Sequence, residues 1–261
     1  MSIQITTEEV KKLRDATGVS VMQCKKALEE TEGDMEKAIM LLKKKSSDIA
    51  SKKSDREALA GIVVIKQESG KAIMLTLNCE TDFVAKNDDF TALASTLADM
   101  ALQEGVEAMN SKAETFISPV VQKVGENIKL GDIAEYKGPI IGSYTHNGKS
   151  GVVVTLSGGD ETLARDIAMH IAAMKPEFTN RESIPAEKIE LARELFNKEV
   201  ETSDKPEDMK KKILEGKVDA YFKELTLVDQ SFVKNPDKTI GALLKDAGDI
   251  VVVGWARSSV I

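Results

Sequence analysis

The chain has 261 residues, 42% of them hydrophobic and 30% charged, and a net charge of −7; that length suggests two or three domains of a soluble globular protein. The negative charge argues against nonspecific nucleic-acid binding as the main task, and no apolar run approaches the roughly 20 residues a bilayer-spanning helix needs. Two cysteines, Cys24 and Cys79, exclude a disulfide framework and suit a reducing cytoplasm.

The N-terminal residues lack a basic start followed by an apolar run, so no signal peptide is expected. Residues 1–45 read as three short helices. Thr6 with Glu9 makes a capping box ahead of Val10 and Leu13, and Thr17-Gly18 ends that helix. Ser20 with Gln23 repeats the box before Met22, Ala27 and Leu28. Gly33-Asp34 supplies a stop and a new N-cap for Ala38, Ile39, Leu41 and Leu42. A bundle of about 45 residues is marginal alone; its Ala27-Leu28, Gly33-Asp34, Ile39 and Leu42 resemble a ubiquitin-associated domain. Lys43-Lys44-Lys45-Ser46-Ser47 and Ser51-Lys52-Lys53-Ser54-Asp55-Arg56 are polar and basic, which predicts a solvated linker over residues 46–59, with binding to RNA or an acidic partner as the alternative.

From Ala60 the pattern becomes extended. Gly61-Ile62-Val63-Val64-Ile65 leads through Glu68-Ser69-Gly70 into an apolar run ending near Asn78, a hairpin signature. Phe90, Leu93, Ala94, Leu97 and Ala98 then recur at helical spacing. Between them lies Asn78-Cys79-Glu80-Thr81-Asp82-Phe83-Val84-Ala85-Lys86-Asn87, a strand-to-helix turn of the kind that projects outward from a rigid scaffold. Phe83 there either packs back as a local core plug or is offered to a partner as a wedge. Further on, helical character surrounds Ala113 to Phe116 and Val120 to Val124, and a short strand is expected at 133–136.

A shift of 81 residues lays Gly61 on Gly142, Ser69-Gly70 on Ser150-Gly151, Leu75 on Leu156 and Glu80-Thr81 on Glu161-Thr162. The repeat predicts an α+β, multidomain protein with two duplicated subdomains, each a small antiparallel sheet backed by helices. In the second copy Leu163-Ala164 replace Asp82-Phe83. Ile189, Ala192, Leu195, Phe196 and Val200 mark a helix capped near Ser183, and Met209, Ile213, Val218, Phe222 and Leu225 mark its partner after a turn at 203–206. This coiled-coil-like hairpin either packs on itself or joins two copies of the chain. Thr239 caps a short helix, and a last strand at 250–256 is expected to return to the second subdomain's sheet. The expected division is thus 1–45 bundle, 46–59 linker, 60–139 first subdomain, 140–182 and 227–261 second subdomain, with 183–226 inserted.

Familiar catalytic chemistry is absent from the sequence pattern. There is neither a P-loop nor a Gly-x-Gly-x-x-Gly fingerprint, Gly158-Gly159 alone is weak as an anion turn, and His146, His170 and the cysteines lack metal-site spacing. Cys79, His170 and Asp82 can be drawn as a nucleophilic triad, but a buried small thiol explains Cys79 better. These absences favour a binding protein over an enzyme.

Three segments together resemble the bacterial elongation factor Ts family. They are Leu13-Arg14, Thr17-Gly18 and Cys24-Lys25-Lys26-Ala27-Leu28; Asn78 to Lys86; and Ile167-Ala168-Met169-His170 through Lys175-Pro176-Glu177-Phe178. The resemblance implies a cytoplasmic guanine-nucleotide exchange factor for elongation factor Tu, with no catalytic residue, metal or cofactor of its own. Mg²⁺ and GDP or GTP belong to the partner. It further implies that Thr81, Asp82, Phe83 and Val84 dislodge that Mg²⁺. By the same resemblance Phe83 would wedge between elements of the partner's G domain, Arg14, Val21 and Met22 would touch that domain too, and His170 would touch another. No nucleic acid or membrane partner is implied. Two departures stand out: Val21-Met22 replaces a Met-Met pair, and many relatives continue into a C-terminal helical segment beyond the position of Ile261. The competing readings are an adaptor acting through residues 1–45 and a Cys79-dependent enzyme.

Overall fold

A computed structural model describes residues 5–202 and 205–261. It divides into two compact units, Met1–Tyr136 with Thr145–Gly151 and Ser258–Ile261, and Lys137–Tyr144 with Val152–Arg257. The fold mixes helices with small antiparallel sheets.

The first unit begins with α1 (Thr7–Thr17), α2 (Val21–Glu30) and α3 (Met35–Lys53). Their starts follow the sequence signals: Thr6 and Glu9 form the capping box, Ser20 accepts from Gln23 N–H, and Asp34 accepts from Lys37 N–H. Gly18 ends α1 in the left-handed region that glycine adopts without strain. Val10, Leu13, Val19, Cys24, Ala27, Leu28, Ala38 and Leu42 form a small common core.

The expected linker is a correction. Residues 46–53 continue α3, because Leu42, Ser46, Ile49, Ala50 and Lys53 share one face at helical spacing. Ser46 Oγ donates to Leu42 O at 2.9 Å and is also bonded to Gln122, while Lys53 Nζ donates to Gly125 O. Ala50 and Ile49 pack into the next core. Only the residues from Ser54 to Leu59 lie between this helix and the first strand.

That core is built by β1 (Ala60–Glu68), β2 (Lys71–Cys79), a single-turn helix α4 (Asp82–Ala85), α5 (Asp88–Glu104), α6 (Val106–Val124) and β3 (Ile128–Lys137). The β1–β2 pairing is antiparallel, with Glu68 opposite Lys71 across Ser69-Gly70 and Ala60 opposite Cys79. The sheet order is β1-β2-β3. Helix α6 runs uninterrupted through Pro119, where sequence pattern marks only its fragments, and β3 begins at Ile128 rather than at residue 133. Ile73, Leu75, Leu77, Phe90, Leu97 and Met109 are fully enclosed, each contributing roughly 1.5–3 kcal/mol of apolar burial.

The second unit contains most of β4 (Ile140–His146) and β5 (Ser150–Leu156), then α7 (Glu161–Met174), α8 (Ala186–Glu201), α9 (Glu207–Leu225), β6 (Ser231–Phe232), β7 (Asn235–Thr239), α10 (Ile240–Asp246) and most of β8 (Val252–Ser259). The sheet order is β4-β5-β8, and Ser157 N–H donates to Val251 O at 2.9 Å as β8 approaches. Everything from α7 to α10 is therefore an excursion between neighbouring strands. Gly142 lets α7 lie close on β4, since a Cβ there would sit 2.1 Å from the Ala164 carbonyl carbon.

The hairpin α8–α9 closes on Ala192, Val218 and Phe222, with Phe196 edge-on to Tyr221 at 5.7 Å. Its first helix starts after Pro185, not at Ser183. Ser183 is instead taken by a 3-10 turn, where it and Asn180 cap each other. Ser203 and Asp204 of the expected turn lie outside the described residues. The β6–β7 pair carries no pattern that the sequence reading identifies.

Candidate functional site

The turn after β2 is anchored from below. Cys79 and Ala85 are buried in the first unit's core, Val84 packs against it, and Thr81 opens the single-turn helix α4 by accepting from Val84 N–H at 3.4 Å. Phe83 lies on the opposite side of that turn with 83% of its surface exposed. The core-plug alternative is thereby removed. At that exposure the Phe83 ring takes no part in the packing of the first unit's core. Beside it, Lys86 Nζ lies 2.9 Å from Asp82 Oδ2, and this bond holds the Asp82 carboxyl below its usual pKa.

Two carboxylates sit under the turn, Glu80 from within it and Glu126, to which the sequence pattern gives no role. Glu126 accepts from Thr81 N–H at 2.9 Å and from Thr81 Oγ1 at 2.6 Å. Glu80 accepts from Asn127 N–H at 2.7 Å and from Arg56 at 3.4 Å.

Arg14, Val21 and Met22 all lie on the surface of the three-helix bundle, and Met22 is 81% exposed. The Ser20 cap places Val21 and Met22 at the start of α2, while Val19 and Cys24 on either side point inward. The α1–α2 turn approaches α6: the Lys123 side chain reaches within 3.4 Å of the position a Gly18 Cβ would take. Lys123 Nζ also bonds Asp89 Oδ1 at 2.6 Å, at the start of α5. Residues 123–126 thus touch the bundle's α1–α2 turn and the start of α5 through Lys123, and the Phe83 turn through Glu126.

His170 is placed differently from the expectation of a partner-facing side chain. It is fully buried in the second unit, with Nε2 2.9 Å from Gln230 Oε1 and Nδ1 accepting from Val233 N–H at 3.2 Å. That pair of bonds selects the neutral tautomer with hydrogen on Nε2, and burial pushes the imidazole pKa below its ordinary value. The physical reason is helical phase: Ile167 and Ile171 face the same core, and His170 shares their side of α7. The exposed residue it supports is Val233.

The triad reading fails on the same bonds. Both His170 ring nitrogens are engaged elsewhere, and Asp82 is bonded to Lys86. Cys79 Sγ donates to Thr81 O at 3.1 Å, and burial, then the Glu126 charge, push its thiol up to about 11, leaving little thiolate at neutral pH. Among the described residues, no group of three or more His, Cys, Asp or Glu is placed to hold a metal ion, and no helix is long and apolar enough to cross a membrane.

The family described as Elongation factor TS matches residues 80–260. A protein of Alkalilimnicola ehrlichii named Elongation factor Ts is 42% identical over 257 residues, covering 94% of this chain and 88% of that one. Its namesake in Marinobacter nauticus is 40% identical, with coverages of 98% and 91%, and that of Legionella pneumophila is 40% identical, with 95% and 89%. Matches of this extent place the chain among the translation elongation factors, which serve protein biosynthesis. Within that class, it belongs to the elongation factor Ts family. Because the similarity spans nearly the whole chain, an adaptor acting through residues 1–45 alone is not favoured.

Proposed function

We propose that this chain promotes guanine-nucleotide exchange on elongation factor Tu during the elongation phase of protein synthesis, using Phe83 as its wedge. Family membership supplies the reaction and the partner, and the observation that carries the mechanism is an exposed Phe83 on a buried, hydrogen-bonded base. Inserting the Asp82-Phe83 turn into the partner parts the elements that hold Mg²⁺. That ion bridges and neutralises nucleotide phosphate oxygens, so its displacement loosens GDP. Thermodynamic linkage then requires nucleotide to weaken the factor's binding by the same factor, and incoming GTP releases it. No covalent bond is made or broken by this chain, which acts by binding in the cytoplasm and needs neither metal nor cofactor of its own.

In this reading the bundle at residues 1–45 is ubiquitin-associated-like, and Arg14, Val21 and Met22 extend the surface around Phe83. The two sheets derive from a duplicated subdomain, at 60–139 and at 140–182 with 227–261, the second interrupted by the 183–226 hairpin. His170 contributes indirectly, by holding Val233 and its neighbours for contact with a second partner domain. Exposed Leu191 and Leu195 on the hairpin support its use in joining two copies, which sedimentation of the chain with and without elongation factor Tu tests. The exchange reading is tested by following labelled GDP on elongation factor Tu. Addition of this chain accelerates release in the presence of excess unlabelled nucleotide, and an unchanged rate would overturn the reading.

A further inference from the structure

We infer that Glu126 is a positioning residue for exchange, its carboxylate fixing the backbone that carries Phe83. The inference rests on the wedge reading above and concerns how that wedge is kept in shape.

Helix α4 has only four residues, Asp82–Ala85. A single helical turn is unstable on its own, because its residues lose their freedom for one or two backbone bonds. Its first N–H groups also have no partner within the helix. Glu126 answers both problems through Thr81. One carboxylate oxygen takes the Thr81 N–H, and the other takes the Thr81 hydroxyl hydrogen at 2.6 Å. With its hydrogen committed to Glu126, the hydroxyl turns a lone pair toward Val84 N–H, which it accepts at 3.4 Å. The carboxylate therefore orients the group that caps the Phe83 turn. Glu126 does not have to touch a partner to do this.

The clamp is reciprocal and firmly rooted. While Glu126 holds the Thr81 amide, Glu80 holds the Asn127 amide at 2.7 Å. Two adjacent pairs of residues, Glu80-Thr81 and Glu126-Asn127, thus exchange carboxylate-to-amide bonds. Asn127 is itself buried, and its Nδ2 donates to Arg56 O at 2.7 Å and Ser54 O at 3.4 Å. Gly125, in the left-handed region at φ 81°, ends α6 and turns the chain so that Glu126 reaches Thr81, and Lys53 at the end of α3 donates to its carbonyl. Hydrogen bonds to a charged group are stronger than neutral ones, and two of them meet on one residue next to the wedge.

The test compares wild type, Glu126→Ala and Glu126→Gln in GDP release from elongation factor Tu, each at a concentration set by titration against nucleotide-free elongation factor Tu. The expected result for Glu126→Ala is a fall in kcat of about tenfold, the order expected for losing a charged clamp, with KM nearly unchanged. Amide hydrogen exchange over residues 80–87 of the free protein rises in this variant while the core of the first unit stays protected. Glu126→Gln recovers much of both readouts, because its amide oxygen still accepts from Thr81 N–H and its amide group can bond Thr81 Oγ1, though as neutral bonds they are weaker than those of the carboxylate. Wild-type kcat in Glu126→Ala overturns the inference, and so does equal loss in the Ala and Gln variants, which would point to the charge itself. If Glu126→Ala does not fold, Thr81→Val takes its place; it removes the hydroxyl that bonds Glu126 and caps Val84 while leaving the Thr81 N–H bond, and unchanged exchange there is equally fatal. A wild-type chain that fails to accelerate release sinks the wedge reading instead, so the two failures are distinguishable.

Discussion

Phe83 is exposed in the free chain, so its removal separates function from folding. Phe83→Ala deletes almost no buried contact, and the thermal midpoint stays within a degree or so. A central aromatic anchor is worth ~2 kcal/mol or more when it docks, so acceleration of GDP release drops by an order of magnitude or more; full activity in this variant would remove the wedge from the mechanism. Cys79→Ser is the complementary control. Exchange persists in it, since the thiol is a structural group bonded to Thr81 O, whereas loss of exchange in a variant that remains folded would reopen its chemistry. The Thr81 to Val84 turn was legible in sequence because its parts are local: a strand end, a threonine cap and an acid–aromatic pair. Glu126 was not, because it lies 45 residues away and only the tertiary fold brings it under Thr81. The burial of His170 was within reach, since Ile167 and Ile171 set the inward face of α7 on which it falls.

Among the elements, α3 shows what composition conceals. Its first half was readable from the Asp34 cap and the apolar residues up to Leu42. Its second half, rich in Lys and Ser, looked like a solvated connector, although Ser46, Ile49, Ala50 and Lys53 keep the helical spacing. Buried serine and alanine give a weak hydropathy signal, and the bond from Ser46 to Gln122 is invisible to any local pattern. Pro119 hid the continuity of α6 in a similar way. Ser47 offers a clean test of α3, as its side chain is exposed within the helix. Ser47→Pro removes one helical N–H and clashes with the preceding turn, at about 3 kcal/mol or more. A lowered midpoint in urea unfolding is therefore expected, and a midpoint equal to wild type would mean that this stretch behaves as the linker its composition suggests.

At the scale of the whole molecule, the two sheets have parallel strand orders, β1-β2-β3 and β4-β5-β8, and the first hairpin of each was legible because the 81-residue shift preserves turn and glycine positions. The third strands were harder to equate: β3 follows directly on α6, while β8 returns only after the α8–α9 hairpin, β6, β7 and α10. The second unit also differs in carrying His170 in its interior, and this predicts how the molecule responds to acid. Burial holds the His170 pKa below its ordinary 6.5. The unfolded chain therefore takes up a proton near pH 6.5 while the folded unit still excludes it. Stability is full above that pH and declines as the pH falls below it, until the folded pKa is reached. Protonation of Nδ1 would in addition turn the acceptor for Val233 N–H into a donor. The sole tryptophan, Trp255, reports on this unit, donating from Nε1 to Thr179 Oγ1 at 3.0 Å and packing against the core that contains Ile167 and Ile171. The Trp255 fluorescence melting midpoint should fall between pH 7.5 and pH 5.5. His170→Gln, which does not titrate, should lower the midpoint at pH 7.5 and flatten its pH dependence over the same interval. An equally steep dependence in the variant would assign the acid response to other groups and leave His170 as packing alone.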